Sequence, residues 1–312
     1  MRIITDARTT TEQFPGLVLT IGCFDGVHLG HQRILDALAA EARDTQGTPA
    51  VMTLEPHPRR FFSPENAPNI LTDNETKYQL LEAHGVAVLY LLPFDQRTAD
   101  MTAQQFVDEL ISARCKTRTL IVGHDFAFGR DARGDYAFLQ AAGKQHGFEV
   151  RQIPPLIIGG QRVSSTLIRE RVIQGEVENL DAYLGRRFSL TGRIIPGRGI
   201  GGILGFPTAN LDVGPCAVPA HGVYAAQAHV HGASYIAAVN IGIAPTIRNE
   251  HPLVEAHLLD FEGTLNADEM EIIFHKHLRP EKKFASRDAL SAAIAADVQR
   301  IRQYFEHRDY PA

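Results

Sequence analysis

Through the first 185 residues, short apolar runs alternate with longer stretches in which apolar residues return every three or four positions. Residues 17–21 read as a buried strand, and 50–54, 86–92, 119–122 and 149–153 are further strand candidates. Residues 32–44, 75–84, 102–113 and 136–147 carry helical spacing. This alternation predicts an α/β unit built on a doubly wound parallel sheet, with ligands bound beyond the C-terminal strand ends.

After the segment Leu180-Asp-Ala-Tyr-Leu-Gly-Arg-Arg187 the pattern changes, which puts a domain boundary at 185/186. Residues 188–195, 223–230, 234–241, 254–261 and 270–278 read as strands separated by Gly- and Pro-rich turns. Such a series predicts a small antiparallel sheet or barrel. A closing helix over 288–305 aligns Leu290, Ile294, Val298, Ile301 and Phe305 on one face, and Ser286 is placed to cap it.

The most specific stretch is Leu19-Thr-Ile-Gly-Cys-Phe-Asp-Gly-Val-His-Leu-Gly-His31, which leaves the first predicted strand and enters a helix. Gly22, Gly26 and Gly30 keep this turn thin enough for a ligand to press against backbone. His28 and His31, three residues apart at the helix start, point the same way beside the N–H groups of the first turn. Two imidazoles and a helix N-terminus make an anion site without lysine. His57, Asp125 and the helix start at Ser164, Ser165 and Thr166 also fall just after predicted strands. Arg169 lies one turn into that last helix, able to grip a phosphate bidentately. Taken alone, Ser164–Thr166 reads equally as a helix cap, Arg169 as a solvated helix face, and Asp125 as an Asx turn.

Composition narrows the class. At 312 residues, two domains are the natural expectation. Hydrophobic residues at 44% and charged residues at 21% suit a soluble globular chain. A net charge of −5 argues against a nucleic-acid partner held by a basic face. Cys23, Cys115 and Cys216 are scattered, with no CxxC pair, which argues against a disulfide framework or structural zinc. The N-terminus lacks the apolar core of a signal peptide, and no apolar run is long enough to span a bilayer. A cytoplasmic location is expected, and no feature specifies an oligomeric state.

Gly197-Arg-Gly-Ile-Gly-Gly202 matches a dinucleotide fingerprint, but Ile203-Leu-Gly-Phe-Pro207 cannot continue into the required helix, and no Walker A sequence exists. The same glycines suit a flap over phosphates that leads into Pro207-Thr-Ala-Asn210. Thr208 and Asn210, at i and i+2 on an extended segment, point to one side. In Val254-Glu-Ala-His-Leu258, strand alternation sets Glu255 and His257 on the face opposite Val254, Ala256 and Leu258. By spacing alone, Glu255 reads as a solvated strand glutamate.

These residues resemble known families. The first motif resembles the HxGH nucleotidyltransferase superfamily. Together with Thr53-Leu-Glu-Pro-His-Pro58, Val122-Gly-His-Asp-Phe-Ala-Phe-Gly129 and Val163-Ser-Ser-Thr-Leu-Ile-Arg169, it is similar to the adenylyltransferase module of bacterial bifunctional riboflavin kinase/FAD synthetases. Gly205-Phe-Pro-Thr-Ala-Asn210, Gly222-Val-Tyr224, Asn240-Ile-Gly242 and Val254-Glu255 resemble the riboflavin kinase module of that family. The resemblance implies two reactions. Riboflavin and ATP give FMN and ADP in residues 186–312, and FMN and ATP give FAD and pyrophosphate in residues 1–185.

It also implies residue roles. His28, His31 and Arg169 would be catalytic in the first module, with Gly22, Phe24, Asp25, Gly30, Asp125, Ser164, Ser165 and Thr166 around the ATP. Glu255 would be the general base of the second, Thr208 and Asn210 would hold Mg2+, and Gly197, Gly202, Gly205 and Pro207 would border the ATP. His57, Gly222, Tyr224 and Asn240 are candidates for the flavin side, as is the loop 243–249. The family often carries a basic residue where Ile200 and Gly201 stand here, which would leave charge neutralisation to Arg198 and the metal. The alternatives are a chain competent in one half-reaction and a flavin-binding protein without turnover.

Overall fold

The computed structural model describes residues 1–197, 200–203, 205–243, 252–263 and 265–306. The chain divides into two compact units, Met1–Pro68 with Asn74–Ser165, and Asn69–Asp73 with Thr166–Ala312.

In the first unit, β1 (Arg2–Ile4), β2 (Val18–Ile21), β3 (Pro49–Glu55), β4 (Val88–Pro93), β5 (Thr119–Gly123) and β6 (Glu149–Ile153) form one sheet in the order β1-β4-β3-β2-β5-β6. Every pairing is parallel. Alternate side chains supply two cores. Leu19, Ile21, Met52, Tyr90, Leu92, Leu120 and Val122 face one layer. Val18, Val51, Leu89 and Ile121 face the other, against Leu35 and Leu38 of helix α1 (Leu29–Asp44). Burial on both faces explains why β2 to β5 read as continuous apolar runs, whereas the edge strand β6, Glu-Val-Arg-Gln-Ile, is largely exposed. From β2 the chain builds outward through β3 to β4, whereas β5 lies on the other side of β2. The strand order therefore reverses between β2 and β5, and a ligand crevice forms at such a switch point.

The pattern missed β1, whose three residues are too few to show a period. It also missed a two-residue hairpin of β7 (Ile157–Ile158) and β8 (Gln161–Arg162). The single helix expected over 102–113 is instead a short α turn, Ala103–Gln105, running into a π-helical stretch, Phe106–Arg114. Phe106, Val107, Leu110 and Ile111 are its buried residues, and a wider turn brings such pairs four and five apart into line.

In the second unit, β9 (Ser189–Ile195), β10 (Ala209–Asp212), β11 (Gly222–Val230), β12 (Ala233–Ile243), β13 (Pro252–Leu258, where the pattern ran a strand over 254–261) and β14 (Glu269–Pro280) close a barrel in the order β10-β13-β12-β11-β14-β9. Closure removes exposed sheet edges. The C-terminal helix, Arg287–Glu306, packs Ile301 and Phe305 onto Ala225 and Leu259. Ser286 caps it, its Oγ accepting from the Ala289 N–H at 3.1 Å.

Candidate active sites

The turn between β2 and α1 is held by its own packing. Phe24 and Val27 have φ of 50° and 37°, unusual for residues with a Cβ, and both side chains are buried. Ser165 donates its hydroxyl to the Asp25 carbonyl at 2.8 Å, tying this turn to the start of the helix Ser165–Ile173. His28 is the N-cap of α1, its Nδ1 accepting from the His31 N–H at 3.2 Å. That N–H was expected among the open donors of the first turn, and the His28 ring takes it instead. Because Nδ1 must offer its lone pair, the proton of the neutral His28 ring sits on Nε2.

The His28 and His31 rings stack at 3.7 Å between centroids, with Phe24 against His31 at 5.1 Å. Burial, and then the neighbouring His28, hold the His31 imidazole well below the usual histidine value. Near neutral pH the His31 ring is therefore uncharged, with an N–H to offer rather than a positive charge. Gly30 fits because a Cβ there would meet the His28 ring at 3.0 Å. Burial pushes the Cys23 thiol, in the same turn, up to about 11, which keeps it protonated near neutral pH.

Beyond β5, Asp125 forms an ion pair with Arg162, which closes the β7–β8 hairpin, and His124 lies 3.6 Å away. Burial opposes ionisation of Asp125, but the hydrogen bond and charge of Arg162 outweigh it and hold the carboxyl below the usual range. A carboxylate beside a triphosphate is repelled unless a metal meets its charge or it turns toward the ribose. The arginine is a third solution, and no spacing signal pointed to it across 37 residues.

His57, after β3, caps the helix Pro58–Phe62 by accepting from the Arg59 N–H at 3.1 Å. Glu55, just before it, accepts from Lys77 at 2.9 Å and from the Tyr78 hydroxyl at 2.6 Å, which anchors the strand end. Arg169 donates from Nε to the Asn69 carbonyl at 2.5 Å, within the second unit, where Thr166 also falls. Ser164 stays with the first.

On the barrel, strand register builds the second site. Asn210 on β10 pairs with Glu255 on β13, and Glu255 pairs with Asn240 on β12. The three side chains form a row on the outer face, since Val254, Ala256 and Leu258 point into the core. Asn240 donates from Nδ2 to the Glu255 carboxylate at 3.2 Å, so it steadies the base candidate directly. Gly197 lies so close to Asn210 that a Cβ there would fall 1.9 Å from the Asn210 amide nitrogen. The glycine run forms one helical turn, Ile200–Ile203, and Gly202 and Gly205 frame its exit toward exposed Pro207 and Thr208. Arg198 and the loop 244–249 lie outside the described residues.

Gly222 opens β11, and Tyr224 is fully buried, its hydroxyl donated to the Ala220 carbonyl at 2.5 Å and its ring stacked on His277 at 4.6 Å. Tyr224 therefore shapes the barrel wall from inside. No group of three or more Asp, Glu, His or Cys side chains gathers as a metal cage among the described residues. Thr208 and Asn210 offer neutral oxygens, which fit a magnesium ion whose charge is met by substrate phosphates.

A doubly wound sheet with a capped imidazole pair at its switch point, followed by a closed barrel, defines a two-module transferase acting on phosphate groups. The FAD synthetase family model matches residues 10–167, and the riboflavin kinase family model matches residues 184–305. The bifunctional riboflavin kinase/FMN adenylyltransferase of Escherichia coli (strain K12) is 37% identical over 93% of each chain. The protein of that name from Pseudomonas fluorescens is 38% identical over 97% of each. A solved structure titled as a macrolide-efflux protein from Streptococcus pneumoniae matches with a TM-score of 0.85 and 27% identity, covering 96% of this chain and 98% of that one. Among the described residues here, no helix is long and apolar enough to cross a membrane. The chain belongs to the bifunctional riboflavin kinase/FMN adenylyltransferase family.

Proposed function

We propose that the chain makes FAD from riboflavin in two steps, each using ATP. The barrel module phosphorylates riboflavin, and the sheet module adenylylates the FMN. The presence of both family matches, in this order along one chain, carries the reading. We assign residues 1–185 to adenylyl transfer and 186–312 to the kinase, in the cytoplasm, with small-molecule substrates and no nucleic-acid partner.

In the kinase step the riboflavin 5′-hydroxyl oxygen attacks the γ-phosphorus of ATP, its proton passes to Glu255, and ADP leaves. Glu255 has the hydrogen-bonded support that a general base needs. Thr208 and Asn210 would hold Mg2+, which when bound neutralises phosphate charge. Gly197, Gly202, Gly205 and Pro207 would line the nucleotide's path, and Gly222 and Asn240 the flavin side, with the buried Tyr224 supporting that wall from within.

In the adenylyl step an FMN phosphate oxygen attacks the α-phosphorus of ATP and expels pyrophosphate. That phosphate is already largely ionised near neutral pH, because its second pKa is about 6, so no strong base is required. The demand is for donors aimed at developing negative charge. His28 meets it through Nε2–H, and His31 as a neutral donor. Gly22, Phe24, Asp25 and Gly30 hold those rings in place. Ser164 and Ser165, in the same unit as those rings, are further donors for the phosphates. The neutral Asp125–Arg162 pair admits a triphosphate where a lone carboxylate would repel it. His57 borders the flavin of this module.

A timed chromatographic assay with riboflavin, ATP and Mg2+ tests the whole reading. FMN should rise first and give way to FAD. FMN that never converts would sink the first module's role, and flavin that binds without turnover would favour a storage protein.

A further inference from the structure

Resting on the kinase reading of the barrel, one residue that the reaction scheme leaves unused has a task of its own. His257 sits two residues beyond Glu255 on the same face of β13, about 7 Å along the strand. Its Nδ1 lies 2.8 Å from the Pro207 carbonyl oxygen. A carbonyl only accepts, so Nδ1 carries the hydrogen and donates it. Phe206 meets the same ring edge-on at 5.5 Å and 86°.

The position of this bond matters. The β10–β13 ladder begins at Ala209, opposite Ala256, so the next step outward sets Thr208 beside His257. Pro207 has no N–H to join a ladder, and both Pro207 and Thr208 are exposed. The segment that enters β10 therefore leaves the barrel's backbone hydrogen bonding just where it presents Thr208. A side chain of β13 takes over, while the Phe206 N–H is held from the other direction by the Gly201 carbonyl at 2.8 Å.

We propose that His257 is a positioning residue for phosphoryl transfer: it clamps the Pro207 carbonyl and so fixes Thr208 and Asn210 against the strand that carries Glu255. It aligns the nucleotide-holding segment with the base and takes no part in proton transfer.

The test compares two variants of the full chain. His257→Phe keeps a ring against Phe206 and removes the donor, whereas His257→Asn returns an amide N–H near the Nδ1 position. With the Phe variant, KM for Mg·ATP in riboflavin phosphorylation should rise about tenfold, the scale of one lost hydrogen bond. KM for riboflavin and FAD formation from supplied FMN should stay as in the wild type. Calorimetric titration with Mg·ADP should show weaker binding by a similar factor, and the Asn variant should recover most of both losses. A Phe variant with unaltered KM and Mg·ADP affinity overturns the proposal. So does an Asn variant as impaired as Phe, or a fall in melting temperature with no change in KM, the mark of a merely structural role. A wild-type chain that forms no FMN would overturn the kinase reading, and the clamp's task with it.

Discussion

Glu255 lies between two asparagines because antiparallel pairing sets one residue on each neighbouring strand directly beside it. Glu255→Gln keeps that geometry and removes the proton acceptor. Riboflavin phosphorylation should fall by about 10²–10⁴-fold, while FAD formation from supplied FMN holds at the wild-type rate. Equal losses in both assays would refute separate sites. His31 yields a prediction of another kind. Its folded pKa is lowered, so below about pH 6.5 the unfolded chain takes up a proton that the folded chain refuses. Stability should then fall as pH drops through that range, and denaturant midpoints of His31→Asn should fall less steeply than those of the wild type. Parallel curves would show that His31 titrates normally. The HxGH and Pro-Thr-Ala-Asn residues were legible because each motif is continuous in sequence. Arg162 on Asp125 and His257 on Pro207 were not, because those contacts span 37 and 50 residues and follow no period.

Elements whose own residues carry a pattern announced themselves, and those placed by their neighbours did not. α1 and the C-terminal helix hold enough turns for an apolar stripe to repeat, and the buried strands of the first sheet are unbroken apolar runs. β10 has four residues bounded by Pro207 and Gly214, yet it pairs on both sides and carries Asn210. Its identity comes from its neighbours, which no local pattern reports. The C-terminal helix depends on more than its stripe. Asp297 is buried on its barrel side, and its Oδ2 accepts from Arg279 Nε at 2.9 Å and Nη2 at 2.7 Å. Removing one member of such a pair leaves a buried charge uncompensated. Asp297→Ala should therefore cost about 3–5 kcal/mol, seen as an early unfolding transition that includes the barrel. A melting curve that overlays the wild type would mean that solvent reaches Arg279 freely.

At the scale of the molecule, the change from strand–helix alternation to a run of strands marked two architectures, and the fold has both. What the pattern could not register is that five residues, Asn69–Asp73, belong with the second unit although they lie far upstream in the first module's sequence. Ile70 donates its N–H to the Pro215 carbonyl at 3.1 Å and accepts from the Ala217 N–H at 2.7 Å, a parallel bridge centred on Cys216. Arg169 holds the Asn69 carbonyl beside it. A fragment beginning at residue 186 therefore keeps the barrel's six strands but loses both Asn69–Asp73, the partner of Pro215 and Ala217, and the stretch 166–185 of the same unit, whose Ile168, Val172, Val177, Leu180 and Leu184 are buried. Such a fragment should retain riboflavin phosphorylation, because Thr208, Asn210 and Glu255 lie within it, and should melt several degrees below the corresponding transition of the full chain. Equal melting would mean that neither Asn69–Asp73 nor the stretch 166–185 adds to the barrel's stability. A fragment that folds but fails to phosphorylate riboflavin would place part of the kinase machinery upstream of residue 186.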